Sequence, residues 1–460
     1  MEKRTIEGNL TKGNVAIQLI LFALPFMLSN LLQTLYNVAD MLIVGNFVGT
    51  EGISGVNIGG QVTFIITNIV VGLSVGGTVV IAQYLGSGDR KSMDESIKTL
   101  ITFLFITAIG LTVVMMLLSD VILELIQTPE EAYEQARGYL NITLLGTIFI
   151  FGYNAFSAIL RGLGDSKRPL LFVFIACVMN VLLDLLFVGA FKMEAKGAAL
   201  ATVISQAISM FACIIYLKRS NLGFDFKFNS FRLYKKRLFV LMQLGIPISI
   251  QNVIINFSFL VLTAIANGMG VSASAAVGIV GKYNGFAILP AVAVGSSVSA
   301  MVAQNMGAGM VERAKKTFHT GFILSFSVSL VVFVITQLFP EQILSVFGKD
   351  PKMISDGVAY IRTFSFDYLI VPAAFCLNGL ITGSGHTIIS SISGIMSSLG
   401  FRIPFAILLG VTLSKGMLGL GLAAPLASIG TTLIVYIYYI SGKWKVSTVV
   451  NNEMIGEPES

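Results

Sequence analysis

Apolar residues run along this chain in long blocks separated by short stretches of charge, glycine or proline. Twelve blocks fall near residues 16–47, 52–84, 96–118, 133–160, 169–190, 195–217, 238–265, 272–303, 316–340, 356–381, 388–412 and 416–441. Each can cross a hydrocarbon layer of about 30 Å as a helix rising about 1.5 Å per residue. Backbone N–H and C=O groups find no water at that depth, so every block is predicted to be helical. The chain reads as an all-α polytopic membrane protein with twelve transmembrane helices. Its first block is far longer than the 7–15-residue apolar region of a secretory signal and lacks a small-residue cleavage site. That block is predicted to be a retained span.

Composition agrees with this reading. Of 460 residues, 55% are apolar and 12% are charged, against about 25% charged in soluble domains. The 46 glycines suit close packing of helices in lipid. The net charge of +6 could attract nucleic acid, but the cations lie in short loops between apolar runs, where lipid headgroups and topology account for them. With the N-terminus inside, 21 of the 30 lysines and arginines fall on the inner side and 6 outside, while Lys282, Arg362 and Arg402 lie within spans. The positive-inside rule therefore places both termini in the cytoplasm of a cell-membrane protein. Cys177, Cys213 and Cys376 sit within apolar blocks with neither disulfide nor metal spacing. They read as small packing residues. His319 and His386 sit at block ends and read as solvated loop residues.

An internal repeat organises the chain. Ala82-Gln83 followed by Gly86-Ser87-Gly88 recurs in the second half as Ala303-Gln304 followed by Gly307-Ala308-Gly309. Gly162-Leu163-Gly164-Asp165 recurs as Gly383-Ser384-Gly385-His386 at the same offset. Pro25 and Gly197 recur as Pro247 and Gly419, both shifted by a single further position. Six spans per repeat is an even number, so both repeats start on the same side and are parallel. The expected organisation is two pseudosymmetric six-helix bundles, residues 1–217 and 238–445. A cytoplasmic connector over 218–237 carries seven cations, and a tail covers 446–460. Two such bundles suit alternating access by rocking.

The halves differ where chemistry is concerned. Asp40 lies in span one and Asp184 in span five, whereas the equivalent positions of the second repeat hold Val261 or Leu262 and Phe405 or Ala406. A carboxylate at the centre of a membrane helix costs about 2.5–3.5 kcal/mol on insertion scales, so it marks a cavity and a function. Gln33, Tyr36, Asn37 and Asp40 share one helix face, as do Asn180 and Asp184, and Thr202, Ser205, Gln206 and Ser209. Distances along the helices place Asp40, Asp184 and Thr202 at one depth in the outer part of the bilayer, with Tyr139 near the same level. Carboxylates deprived of water accept a proton readily, and hard cations take oxygen ligands, so the set suits one proton or one Na⁺. Ser209 and Gln206 read as interhelical packing bonds. In the second half Lys282, Arg362, Asp367 and Arg402 either pair with one another or line a substrate path.

These residues carry a family resemblance. The run from Pro25 to Asp40, PFMLSNLLQTLYNVAD, followed by Gly45 and Gly49, resembles the first helix of the MATE (multidrug and toxic compound extrusion) transporters. Arg161-Gly-Leu-Gly-Asp165, the Asn180 to Asp184 pair and the run from Gly197 to Thr202 resemble that family's motifs in helices four to six. The resemblance covers nearly the whole chain. It implies antiport of organic, often cationic and amphipathic, small molecules against H⁺ or Na⁺, with no further cofactor. It also implies a cation site in the first bundle at Asp40, Asn180, Asp184 and Thr202, supported by Tyr36, Tyr139 and Asn154, and a bending helix at Pro25. The only metal it allows is Na⁺ at that site. One branch of the family uses an acid on helix seven. Here that region holds Asn256, which directs coupling to the first bundle.

Other classes lack their signatures. No G-x-x-x-x-G-K-[ST] phosphate loop supports an ATP-driven pump. Two boundary histidines make no enzymatic constellation, and no ring of charge or filter motif marks a channel. The expectation is a monomeric antiporter without enzymatic activity. The nearest alternative is a lipid-linked oligosaccharide flippase of the same superfamily.

Overall fold

The computed structural model describes residues 8–219 and 231–450. Most of the predicted connector, residues 220–230, and of the predicted tail, residues 451–460, lies outside the described residues. Among the described residues twelve spans are present, nine continuous and three bent. Helices α1 (Val15–Phe47), α2 (Thr50–Ser87) and α3 (Arg90–Leu125) form the first three. The fourth bends by 48° between α4 (Glu130–Leu145) and α5 (Thr147–Gly162). Helix α6 (Lys167–Asp184) runs into a π-helical turn, Leu185–Ala190, and α7 spans Glu194–Arg219.

The second half begins with α8 (Lys235–Gly268). Its second span bends by 44° between α9 (Val271–Ala287) and α10 (Leu289–Gly307). Helix α11 (Val311–Leu338) is followed by the single-turn α12 (Pro340–Ser345). The tenth span bends by 44° between α13 (Pro351–Phe364) and α14 (Asp367–Gly383). Helix α15 (Thr387–Ile395) continues through two π-helical stretches, Met396–Arg402 and Ala406–Thr412, on either side of the short α16 (Ile403–Phe405). Helix α17 (Gly416–Ile440) completes the set.

The apolar blocks locate every span, but they read spans four, eight and ten as unbroken. Span eight shows why one of these bends arises. Pro290 stands in the first turn of α10, where its missing N–H is harmless, yet its ring disfavours a helix continuing from the preceding turn. The matching position of the first repeat is Ile69, and α2 passes through it without a break.

The repeat reappears as matched packing. Gly88 and Gly309 adopt φ of 79° and 72°, and Gly164 and Gly385 adopt 83° and 96°, a left-handed backbone that a side chain disfavours. Gly162 faces Thr78 and Ile81, and Gly383 faces the corresponding Ser299 and Val302. A Cβ on Gly86 would overlap the carbonyl of Gln304, and a Cβ on Gly307 would overlap the carbonyl of Gln83, so the ends of α2 and α10 cross at a reciprocal glycine contact. Both glutamines are buried. Gln304 Oε1 accepts from the Leu10 N–H at 3.0 Å. Gln83 Nε2 donates to the Gly383 carbonyl at 2.8 Å, and its Oε1 accepts from the Ser447 hydroxyl.

Two compact units result. One comprises Met1–Asn9, Leu28–Ile81 and Asp89–Ser249; the other comprises Leu10–Met27, Ala82–Gly88 and Ile250–Ser460. In the first, Val44, Val56, Tyr139, Val188 and the alanines of α7 form a core. In the second, Val15, Leu19 and Phe22 of α1 pack with α10, α14 and the buried Trp444. His386 is not the solvated loop residue that its position in the chain predicts. It is half-buried, its Nε2 lies 2.9 Å from the Val446 carbonyl and its Nδ1 lies 3.0 Å from the Tyr438 hydroxyl. The three cysteines are buried and free.

Within the first unit, Arg237 anchors the start of α8. Its Nε donates to Glu95 Oε2 at 3.1 Å and its Nη2 to Ser92 Oγ at 2.6 Å, with both charged side chains largely buried. Replacing the guanidinium leaves Glu95 without its counter-ion. Arg237→Gln is expected to lower stability by about 1.5–3 kcal/mol, the range for a hydrogen bond to a charged group. A denaturation midpoint in detergent equal to that of the parent would contradict this.

Candidate functional site

The acids that the sequence isolates meet in the first unit. Asp40, late in α1, is 7% exposed, and Asp184, the last residue of α6, is fully buried. Their carboxyl groups lie within hydrogen-bonding reach of each other. The π-helical turn that begins at Leu185 widens the helix directly after Asp184, a distortion common at functional positions in helices.

Around the pair stands a ring of polar groups from α1, α4, α6 and α7. Asn180, one turn before Asp184 and fully buried, donates from Nδ2 to Thr202 Oγ1 at 3.4 Å. Thr202 is also hydrogen-bonded to Tyr139, and Tyr36 to Gln206. Both tyrosines are close enough to feel the charge of Asp40 and Asp184. Among the described residues, no N–H or O–H reaches Asp40 Oδ1, either oxygen of Asp184, or Asn180 Oδ1. Four buried acceptors without a donor form an electron-rich pocket. Like charges this close repel, and each unpaired buried acceptor carries a desolvation cost of about 1–3 kcal/mol. Uptake of a proton or a small oxygen-liking cation relieves both terms.

The structure therefore gathers Asp40, Asn180, Asp184, Thr202, Tyr36 and Tyr139. Among the described residues, no hydrogen bond joins the other expected members to the acid pair. Asn37 is exposed on α1, and Gln33 is half-buried two turns before Asp40. Asn154 lies on α5 beyond the bend at Gly146, and its Nδ2 donates to the Ile150 carbonyl of its own helix at 2.8 Å. Pro25 is buried, and α1 continues through it without interruption. It belongs to the second compact unit, and α1 enters the first at Leu28. Ser209 makes the packing bond expected of it, donating to the Phe172 carbonyl at 2.7 Å. Gln206, read from the sequence as packing only, is a partner of Tyr36; its i, i+4 spacing from Thr202 carries that information.

In the second half, Lys282 and Arg362 are exposed and form no ion pair among the described residues. Asp367 and Arg402 are electrostatic neighbours at a small cavity. Asn256 donates to the Asn252 carbonyl of its own helix at 2.8 Å.

A twelve-span helical protein with duplicated halves and an intramembrane acid cluster in one of them is a membrane transporter of the two-repeat type. The family model MatE matches residues 25–186 and again 247–408. The two matches begin at the repeated prolines Pro25 and Pro247, so the halves found from glycine spacing are two copies of one module. The chain belongs to the MatE family of multidrug efflux transporters. It is 30% identical over 436 residues to the probable multidrug resistance protein YpnP of Bacillus subtilis, covering 95% of this chain and 97% of that protein. It is 26% identical over 452 residues to the probable multidrug resistance protein NorM of Thermotoga maritima, covering 96% and 95%. Its fold matches a crystal structure of MATE in complex with MaD3S with a TM-score of 0.88 at 22% identity, over 97% of this chain and 100% of that one.

Proposed function

We propose that this protein is a secondary antiporter that exports organic, cationic or amphipathic compounds from the cell by alternating access, driven by protons taken up at Asp40 and Asp184. The observation that carries the reading is the direct approach of two buried carboxyl groups, with acceptor oxygens around them and no donor among the described residues to satisfy them. Two carboxyl groups in hydrogen-bonding reach are matched by one shared proton, which forms the bond between them and removes one of the two like charges. Asn180 and Thr202 hold the edge of the pocket and would orient Asp184. The asymmetric distribution of lysine and arginine supports cytoplasmic termini and residence in the cell membrane. Each chain carries a complete acid pair, so the reading needs no second copy.

Na⁺ is the second reading, because the carboxylates, Asn180 and Thr202 offer oxygen ligands of the type that hard cations take. Proteoliposomes separate the two. With a pH difference and no sodium, efflux of a fluorescent organic cation is expected to proceed. With a sodium gradient at equal pH, it is expected to stop. Transport under sodium alone would replace the proton by Na⁺, and transport under neither gradient would remove the antiport reading.

A further inference from the structure

The second unit holds a cavity of its own, and nothing in the coupling scheme uses it. It measures about 160 Å³. Three irregularities of the backbone converge there. Asn284 and Ile288 come from the bend between α9 and α10, Phe364 and Asp367 flank the bend between α13 and α14, and Arg402 ends the first π-helical stretch of span eleven. Non-helical backbone at membrane depth is tolerated where it is enclosed by protein or lines a polar cavity. Here it brings an acid and a base to the same cavity.

Their arrangement is that of a binding site more than of a structural ion pair. Asp367 is 5% exposed, with Ser428 in hydrogen-bonding reach, and its Oδ1 is buried without a partner among the described residues. Arg402 donates from Nη1 to Ser258 Oγ at 3.2 Å and lies over the Phe259 ring, its Cζ 4.6 Å from the centroid. Its Nε is buried and has no acceptor among the described residues, and Asn284 Oδ1 likewise has no donor. Although Asp367 and Arg402 feel each other's charge, they form no ion pair among the described residues. A pair built for stability would close directly, since leaving one member unsatisfied in the interior is costly. Asp367, Asn284 and Arg402 instead line one cavity, and each keeps a buried polar atom without a partner among the described residues.

The first half has no equivalent of this charge pair. The matching positions of the first repeat hold Leu145 or Gly146 in place of Asp367, and Asn180 or Val181 in place of Arg402. The charges are therefore not a requirement of the module's packing.

We propose that this cavity binds the head group of a zwitterionic, amino-acid-like ligand, with a carboxylate on Arg402 and an ammonium between Asp367 and Asn284. A guanidinium fork matches a carboxylate in two parallel hydrogen bonds, and three ammonium donors suit the side-chain oxygens of Asp367 and Asn284. Phe364, Phe375 and Val371 supply an apolar wall for the ligand's body. Drug-sized ligands occupy pockets of about 300–1,000 Å³, so this smaller cavity takes a compact zwitterion or the charged end of a larger one. The inference deepens the proposed export function by naming a class of solute that the second unit recognises, and it rests on that reading for its role in transport.

Equilibrium binding tests it without any gradient. The purified full-length protein in detergent is titrated at fixed salt with L-phenylalanine, its methyl ester and N-acetyl-L-phenylalanine. The free amino acid is expected to bind at least about tenfold more tightly than either blocked form, a difference of about 1.4 kcal/mol. Arg402→Gln should erase the preference over the ester and leave the preference over the acetylated form. Asp367→Asn should do the reverse, and Arg402→Lys should restore part of the lost preference. Equal binding of the three probes by the parent protein overturns the proposal, as does an Arg402→Gln protein that still prefers the free acid. Should either variant prove polydisperse on gel filtration, the comparison of the three probes on the parent protein decides alone. Asp40→Asn separates the two readings. Loss of gradient-driven efflux with unchanged phenylalanine binding leaves both standing. Intact efflux removes the coupling role and spares the zwitterion site.

Discussion

Replacing either member of the acid pair, Asp40→Asn or Asp184→Asn, should lower gradient-driven efflux about a hundredfold or more, equivalent to about 2.7 kcal/mol of coupling. Asparagine keeps the shape of the side chain but removes the site that gains and loses a proton. It also fills the donor-poor pocket with an NH₂ group, which satisfies permanently what the transported ion satisfies transiently. The partner acid is then left with a fixed hydrogen bond in place of a shared proton. Because the two carboxyl groups act as a unit, the double variant should be no worse than the more damaging single one. Asn180→Ala leaves both acids in place and should cost less, about tenfold. Initial rates of dye efflux from proteoliposomes under an imposed pH difference measure all four, at matched protein density. Undiminished efflux in both single variants, or additive losses in the double, would sink the coupled-pair account.

The second large effect is expected where α2 and α10 cross. Gly86 and Gly307 each face a backbone carbonyl, of Gln304 and Gln83, with no room for a Cβ. A backbone atom cannot rotate away as a flexible side chain can, so Gly86→Val or Gly307→Val must push the helix ends apart. The overpacking should cost about 1–3 kcal/mol for each single variant. It should also disturb the buried Gln83 and Gln304 amides, which hold Gly383, Ser447 and Leu10. The contact is reciprocal, so once one valine has opened the crossing the other finds space. The double variant is therefore expected to cost clearly less than the sum of the singles, with an interaction energy of about 1 kcal/mol or more. Denaturation midpoints in detergent give the cycle. Simple additivity would mean that the two glycines do not share one contact.

Both predictions rest on residues that the chain itself singles out, and the reasons differ. Gly86 and Gly307 stand out because duplication preserves the demands of close packing at a constant offset. Asp40 and Asp184 stand out for the opposite reason, as charges in apolar helices that lack a counterpart in the other copy. Their meeting is legible in outline, since helical periodicity and residue counts place both at one depth. Gln206 is half-legible, because its spacing from Thr202 shows the shared face but not the Tyr36 hydroxyl waiting across from it. Asn154 owes its expected role to the family resemblance, and only the structure shows that the fourth span bends at Gly146, between Tyr139 and Asn154.

The Asp367 cavity depends still more on tertiary structure. Asp367, Arg402 and Asn284 belong to three spans, and their convergence depends on two bends and a π-helical stretch. Pro290 can be read as a helix start, but the apolar block runs through it, so hydropathy conceals the break.

The sequence by itself determined the membrane class, the twelve spans, the duplication and the unequal placement of charge. Those properties follow from local rules, namely water exclusion from the backbone, helical periodicity and a constant repeat offset. Tertiary structure decided which buried oxygens lack donors, where helices bend, and which acid stands beside a second acid and which opposite a guanidinium. These depend on directions and distances of a few ångströms between spans far apart in the chain, and no periodicity along a single helix encodes them.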